Sequence, residues 1–111
     1  MNITFEESDS EVKKVIFVGD LDYHASTEIR EKIGQFLADK PKKIMIDLSQ
    51  VPYMDSSGIA SFVEISRKSK DYGGKIVFYN LTEPVRNIFE LAKLNLFFTL
   101  ADSEDAAIQS F

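Results

Sequence analysis

The segment KKIMIDLSQVPYMDSSGIASF, residues 42–62, passes from an apolar run through a turn of small polar residues to a second apolar pattern. Its first part, 42–49, has the composition of a buried parallel strand. After the turn, Ile59 and Phe62 have the spacing of one face of a helix. A strand that leads through a short turn into a helix is the repeating unit of α/β folds. The segment therefore predicts an α/β architecture.

Strand-like and helix-like patterns alternate on both sides of this segment. Two strands are predicted at 3–7 and 12–18, with a hairpin turn at 6–11 between them. Two more are predicted at 75–79 and 96–100. Because neighbouring parallel strands need a crossover connection, the alternation favours one mixed sheet with helices packed against it.

Capping residues and helix breakers set the predicted helix ends. Pro41 ends the first helix and Gly73 the second, because neither residue type continues a helix easily. Pro84 is expected at the first position of the third helix. The predicted N-caps are Ser26 or Thr27 for the first helix, Thr82 for the third, and Asp102 or Ser103 for a terminal helix at 104–110. The second helix is marked by Ile59, Phe62, Val63 and Ser66.

Composition limits what the chain can do. Its 111 residues, of which 44% are hydrophobic, predict a single domain over 1–111. The absence of cysteine excludes disulfides, zinc–thiolate sites and cysteine nucleophiles. A net charge of −5 argues against binding nucleic acid, which needs clustered Lys and Arg. No signal-peptide pattern is seen and no apolar run approaches ~18 residues, so we expect a cytoplasmic protein with no membrane span.

The turn MDSSGIA, residues 54–60, admits three interpretations, of which the first is a helix cap. Asp55, Ser56 and Ser57 all belong to favoured N-cap types. A cap alone does not account for Gly58, because glycine within a helix costs about 0.5–1 kcal/mol relative to alanine. Gly58 therefore indicates that something approaches the backbone closely at this point.

The second interpretation is a serine nucleophile. The strand-to-helix elbow of α/β hydrolases has glycines two residues before and two residues after the serine, and neither Ser56 nor Ser57 has this pair. His24 is the single histidine and the only candidate imidazole base. A triad of Ser57, His24 and an aspartate stays open, because triads are defined by geometry rather than by sequence position. Gly73-Gly74 matches no phosphate-binding loop, so no nucleotide cofactor is expected.

The third interpretation is a hydroxyl that another protein modifies. A phosphate in the first turn of a helix lies beside unpaired amides and the positive end of the helix dipole. It would add about −1.5 to −2 charges at pH 7. With Asp55 adjacent, it would make the local surface strongly anionic and expel a partner that packs apolar or acidic groups there.

The segment also resembles a known family. MDSSGIA after the strand KIMIDLS is similar to the signature of the STAS family, and within it the small anti-sigma factor antagonists. Gly19-Asp20-Leu21-Asp22 resembles that family's second landmark, Gly-x-Leu-Asp at the end of the second strand. The resemblance covers nearly the whole chain. It implies an α/β fold with a mixed sheet of four to five strands and about four helices packed mainly on one face.

The resemblance also implies a mechanism and a site. An unphosphorylated antagonist of this kind binds an anti-sigma factor that is also a serine kinase of the ATPase-fold type, and a PP2C-type phosphatase reverses the phosphorylation. By position, Ser56 is the phosphoacceptor, Ser57 shapes the acceptor site and Gly58 lets the kinase come close. The implied partner-binding residues are Asp22, Ser26, Asp55, Ser57 and Gly58, although Asp22, Ser26 and Asp55 also fit capping roles. No catalytic residue, metal or cofactor of the chain's own is implied.

Two features qualify the comparison with the family. Ala60 stands where many members have a second glycine, which implies slightly less access to the backbone. The same fold also serves as a scaffold or as a regulator of targets other than sigma factors, such as a phosphatase, cyclase or transport complex. That alternative stays open beside the antagonist interpretation.

Overall fold

The computed structural model describes residues 1–8 and 11–111. Its strands are β1 Asn2–Glu7, β2 Lys13–Val18, β3 Lys43–Gln50, β4 Lys75–Tyr79 and β5 Thr99–Ala101. Its α-helices are α1 Tyr23–Leu37, α2 Ser56–Asp71, α3 Glu83–Leu91 and α4 Glu104–Gln109, with a short 3₁₀ helix at Leu94–Leu96. Strands and helices alternate from β2 onward, as the sequence predicted.

The five strands form one mixed sheet in the order β1-β2-β3-β4-β5. β1 pairs with β2 antiparallel, and the other pairs are parallel. The predicted hairpin is therefore present as a strand pair, while its turn at 6–11 includes residues 9 and 10, which lie outside the described residues. Parallel pairing places the carboxyl ends of β2 and β3 at the same edge of the sheet, where the loops that lead into α1 and α2 begin.

Three helices cover one face of the sheet and α4 covers the other. The larger core lies between the sheet and α1, α2 and α3, and its aromatic centre includes Phe62 and Phe78, whose ring centroids are 4.9 Å apart. The smaller core lies on the opposite face, where Ala107 of α4 packs near β4. Its buried residues are Val12, Met45, Val77, Tyr79, Ala101 and Ala107. The expected fold, a mixed sheet with four helices mainly on one face, is confirmed.

The first helix begins earlier than the sequence predicted. Asp22 is the N-cap of α1, and its carboxylate accepts a hydrogen bond from the Ala25 amide. The predicted cap at Ser26 or Thr27 is wrong, because both residues lie inside α1. Asp22 lies one turn upstream of Ser26, and its carboxylate already caps the helix.

The inward face of α2 also differs from the prediction. Its buried residues are Gly58, Ser61, Phe62, Ile65 and Ser69, whereas Val63 is exposed. Two serines can face inward because each hydroxyl bonds to a carbonyl of its own helix: Ser61 to Ser57 and Ser69 to Ser66, both at 3.0 Å. Of the residues that marked the helix in the sequence, Phe62 is buried, Ile59 and Ser66 are half-buried and Val63 is exposed.

The last strand is shorter and later than predicted. The segment 96–100 contains the end of the 3₁₀ helix, and β5 starts only at Thr99. Lys93 adopts a left-handed backbone conformation with φ of 57°, which turns the chain after α3 so that Leu94 is buried. Leu96 and Phe97, which the apolar run had placed in a strand, are left on the surface.

No helix within residues 1–8 and 11–111 is both long enough and apolar enough to cross a bilayer.

Candidate functional site

The two loops that precede α1 and α2 run side by side. Leu21 and Met54 form a parallel bridge outside the main sheet. The Leu21 amide donates to the Tyr53 carbonyl at 2.9 Å, and the Asp55 amide donates to the Leu21 carbonyl at 3.2 Å. The two sequence landmarks, GDLD and MDSSG, therefore form one surface at the N-terminal ends of two neighbouring helices.

An aspartate caps each helix in an equivalent position. The Asp22 carboxylate accepts from the Ala25 amide at 3.0 Å. The Asp55 carboxylate accepts from the Ser57 amide at 2.8 Å and, more weakly, from the Gly58 amide at 3.4 Å. Both side chains are only partly buried. Each aspartate thus satisfies amides of its own helix and still contributes negative charge to the surface.

The two serines after Asp55 lie in different surroundings. Ser56 is the first residue of α2 and is exposed, while Ser57 is half-buried. Neither hydroxyl makes a hydrogen bond to a residue that the structure describes. A serine at the first helical position is not needed as a cap once Asp55 performs that function. The Ser56 hydroxyl is therefore available to solvent and to another protein.

The close approach predicted at Gly58 is made by the chain itself. A Cβ atom at Gly58 would lie 2.6 Å from the Leu21 carbonyl oxygen and 2.9 Å from a Met54 side-chain carbon. Gly58 is also buried. The glycine is required because α2 packs directly against the loop that ends in Asp22. This is a reason within the fold, whereas the resemblance had implied access for a kinase.

Ser26 is separated from the exposed part of this surface. It is 7% exposed, and its hydroxyl donates to the Tyr23 carbonyl at 2.7 Å. Of the sequence-predicted site residues, Asp22, Asp55, Ser56 and Ser57 reach the surface together, whereas Ser26 and Gly58 are buried beneath it.

Two exposed tyrosines border the site, and the sequence analysis did not identify them. Tyr23 follows Asp22 and is 73% exposed, and Tyr53 precedes Met54 and is 49% exposed. Tyrosine is enriched at protein interfaces, because its ring is apolar and its hydroxyl can still form a hydrogen bond. The available signal was their position within one or two residues of the two capping aspartates.

The structure gives the nucleophile interpretation no preformed contact. In the described part of the chain, no hydrogen bond joins His24 to Ser56 or Ser57; His24 is exposed and lies edge-on to the Tyr23 ring. Among the same residues, no cluster of three or more histidine, aspartate or glutamate side chains is arranged to hold a metal ion.

Comparison with known proteins identifies similar chains over nearly the full length. The family model described as the STAS domain matches residues 3–107. The anti-sigma-B factor antagonist of Bacillus subtilis (strain 168) is 26% identical over 109 residues, which is 98% of each chain.

Solved structures agree with the sequence match. An anti-sigma factor antagonist from Mycobacterium paratuberculosis has a TM-score of 0.84 at 26% identity, covering 98% of this chain and 92% of that one. The Bacillus cell fate determinant SpoIIAA in its phosphorylated form has a TM-score of 0.72 at 24% identity, covering 98% of both chains, and shares the fold.

Proposed function

The chain belongs to the STAS domain family, and from that premise we propose that it is an anti-sigma factor antagonist controlled by reversible phosphorylation of Ser56. In its unphosphorylated form it binds an anti-sigma factor that is also a serine kinase. Phosphorylation releases it from that partner. Relatives of nearly equal length bear the name anti-sigma factor antagonist, and one similar fold is described in a phosphorylated form.

The observation that carries this proposal is the position of Ser56. It is exposed at the first position of α2, its hydroxyl forms no hydrogen bond within residues 1–8 and 11–111, and Asp55 already caps the helix. A kinase can therefore reach the hydroxyl without opening the structure. In the transfer, the Ser56 oxygen forms a bond to the γ-phosphorus of ATP held by the kinase, the bond to ADP breaks, and the hydroxyl proton passes to a base or to water.

The surface around Ser56 explains how the added group would act. The α2 N-terminus tolerates a phosphate because the positive end of the helix dipole lies beside it, even though Asp55 already accepts from the Ser57 and Gly58 amides. Asp22 and Asp55 already contribute negative charge to the same surface. The phosphate would add about −1.5 to −2 charges to it. A partner that contacts Tyr23 and Tyr53 around this point would face repulsion and the cost of burying a dianion.

The remaining components belong to the partners. The nucleotide is bound by the kinase, of the ATPase-fold type, and a PP2C-type phosphatase regenerates the binding form. This chain supplies the acceptor and the contact surface, with no cofactor of its own, and acts in the cytoplasm.

The test is phosphorylation by the cognate anti-sigma factor kinase with ATP, followed by intact mass measurement. We expect one added phosphate on the native chain and on Ser57→Ala, and none on Ser56→Ala. Release of the chain from the kinase should accompany the phosphate. If Ser56→Ala still gained the phosphate and Ser57→Ala did not, Ser57 would be the acceptor and the proposal for Ser56 would be wrong.

A second measurement separates the antagonist from a regulator of another target. The unphosphorylated chain, added to the complex of the kinase with its sigma factor, should release the sigma factor. Phosphorylation without that release would favour a partner-switching role on a target other than a sigma factor.

A further inference from the structure

The connection between α3 and β5 exposes three large apolar side chains. Leu91, Leu96 and Phe97 are 85%, 74% and 81% exposed. The segment is not loose on the surface, because Leu94 between them is buried in the main core. Large exposed apolar patches mark interaction sites, whereas single exposed apolar residues are normal, and these three lie within seven residues of one another along the chain.

Phe97 also forms one wall of a groove against α2. The groove is open, has a volume of about 510 Å³, and lies between the 3₁₀ helix region and the second half of α2. Its lining includes the apolar residues Val63, Leu94, Phe97 and Phe98 and the basic residues Arg67 and Lys70. This arrangement explains why Val63 is exposed on α2: it faces the groove rather than the core.

The charge on the groove is opposite to that of the chain. Arg67 and Lys70 form no ion pair with any residue in the described ranges, although the chain carries a net charge of −5. Two acids on α2 lie near these cations: Glu64 is engaged by Arg30 and Lys68 instead, and Asp71 forms no ion pair among the described residues. Two unpaired cations beside an apolar groove are complementary to an apolar segment that carries carboxylates.

We infer that this groove is a second protein-docking site, which takes an amphipathic helix with leucine-like anchors flanked by Glu or Asp from a different protein. Helices bind such grooves through apolar anchors at i, i+3, i+4 and i+7. A second copy of this chain fits poorly, because a symmetric contact would bring Arg67 and Lys70 of both copies to the same interface.

This site is distinct from the phosphorylation surface. Val63 lies seven residues after Ser56 on α2, about 10 Å along the helix axis. The inference therefore does not depend on the function proposed for Ser56.

The test uses three synthetic helical peptides of identical leucine spacing, flanked by glutamate, glutamine or lysine. Binding is followed by fluorescence anisotropy, and the contact surface by amide chemical-shift changes in the labelled protein. We expect the glutamate peptide to bind about tenfold more tightly than the glutamine peptide and the lysine peptide not to bind measurably. Shift changes should be confined to residues 63–70 and 91–98.

Matched variants locate the contact. Phe97→Ser should weaken binding more than tenfold, whereas Tyr23→Ser, which removes an equally exposed aromatic from the Ser56 surface, should leave it unchanged. The double variant Arg67→Gln/Lys70→Gln should remove the preference for the glutamate peptide, while Lys43→Gln should not. All these positions are exposed, so the variants are expected to fold.

Three results would overturn the inference. Equal binding of the glutamate and lysine peptides would indicate unspecific apolar adhesion. Concentration-dependent dimerisation that Phe97→Ser abolishes would assign the groove to a second copy. Co-sedimentation with phosphatidylglycerol vesicles that Phe97→Ser abolishes, without binding of any peptide, would assign it to a lipid surface.

Discussion

Gly58 shows how a single missing side chain permits the site to exist. The loop that ends in Asp22 rests directly on the first turn of α2, and a Cβ at position 58 would lie 2.6 Å from a backbone oxygen of that loop. Backbone cannot move aside as a flexible side chain can. We therefore expect Gly58→Ala to destabilise the fold by about 1–3 kcal/mol despite the better helix propensity of alanine. Urea unfolding monitored by circular dichroism measures this change.

Gly34 offers the matched control, because it lies in α1 with no atom within 4 Å of the position that its Cβ would take. Gly34→Ala should stabilise the fold by about 0.5–1 kcal/mol through helix propensity alone. If the two substitutions changed stability in the same direction, the close contact between Leu21 and α2 would not be the reason for the glycine.

Tyr79 places a hydroxyl group in the smaller core. Its side chain is fully buried in the smaller core, and its hydroxyl has no hydrogen-bond partner among the described residues. Burial raises the pKa of the Tyr79 phenol above its usual value, and the Asp47 carboxylate raises it further. The stability that depends on a neutral Tyr79 is therefore complete below pH ~10 and is lost as the pH rises above that value.

We expect Tyr79→Phe to be as stable as the native chain at pH 7 or slightly more stable, and to lose less stability between pH 9 and pH 11. At pH 11 the native chain should be less stable than the variant by about 1 kcal/mol. Tyr72→Phe is the control, because the Tyr72 hydroxyl donates to the Pro41 carbonyl at 2.8 Å. That variant should already be less stable at pH 7. Parallel pH curves for the native chain and Tyr79→Phe would contradict the assignment.

At the scale of the element, the starts of α1 and α2 are built alike, and this affects how the site can be probed. Because Asp55 caps α2, Asp55→Ala should cost about 1 kcal/mol of stability whatever it does to a partner. Asp55→Asn keeps an oxygen that can accept from the Ser57 amide and should cost much less. Thermal unfolding of the three proteins measures the difference. Equal losses would mean that charge on the helix dipole, rather than the cap hydrogen bond, stabilises this end.

The elements were predictable where periodicity and breakers agreed. The strand at 75–79 and the end of α2 before Gly73 were found from the sequence because an apolar run and a glycine mark them on either side. The errors occurred where two signals competed. Ser26 is a favoured cap type, but Asp22 lies one turn earlier and reaches the amides first. The apolar run at 96–100 was predicted as a strand because sequence periodicity cannot show that Leu96 ends a 3₁₀ helix and that Leu96 and Phe97 lie on the surface.

At the scale of the whole molecule, the contents of the site were easier to predict than its assembly. The residue types at 19–22 and 54–58 indicated both landmarks. Their contact depends on a parallel bridge between Leu21 and Met54, which follows from the pairing of β2 with β3 and not from either segment alone. The placement of α4 on the opposite face could not be predicted from its own sequence either, because Ala107 is the one residue of that helix that is fully buried.

The switch proposed at Ser56 would act without unfolding the chain, and a pair of serines on α2 tests this. Ser56 is exposed, so Ser56→Asp should change the melting temperature by no more than about 2 °C while weakening binding to the anti-sigma factor kinase. Ser61, five residues after Ser56 on α2, is 1% exposed and packs inward. Ser61→Asp would bury an unpaired carboxylate and should lower the melting temperature by more than about 10 °C. Scanning calorimetry compares the two variants. A large loss of stability in Ser56→Asp would mean that negative charge at position 56 acts by unfolding α2, whereas lost binding with an intact melting transition means that it acts at the surface.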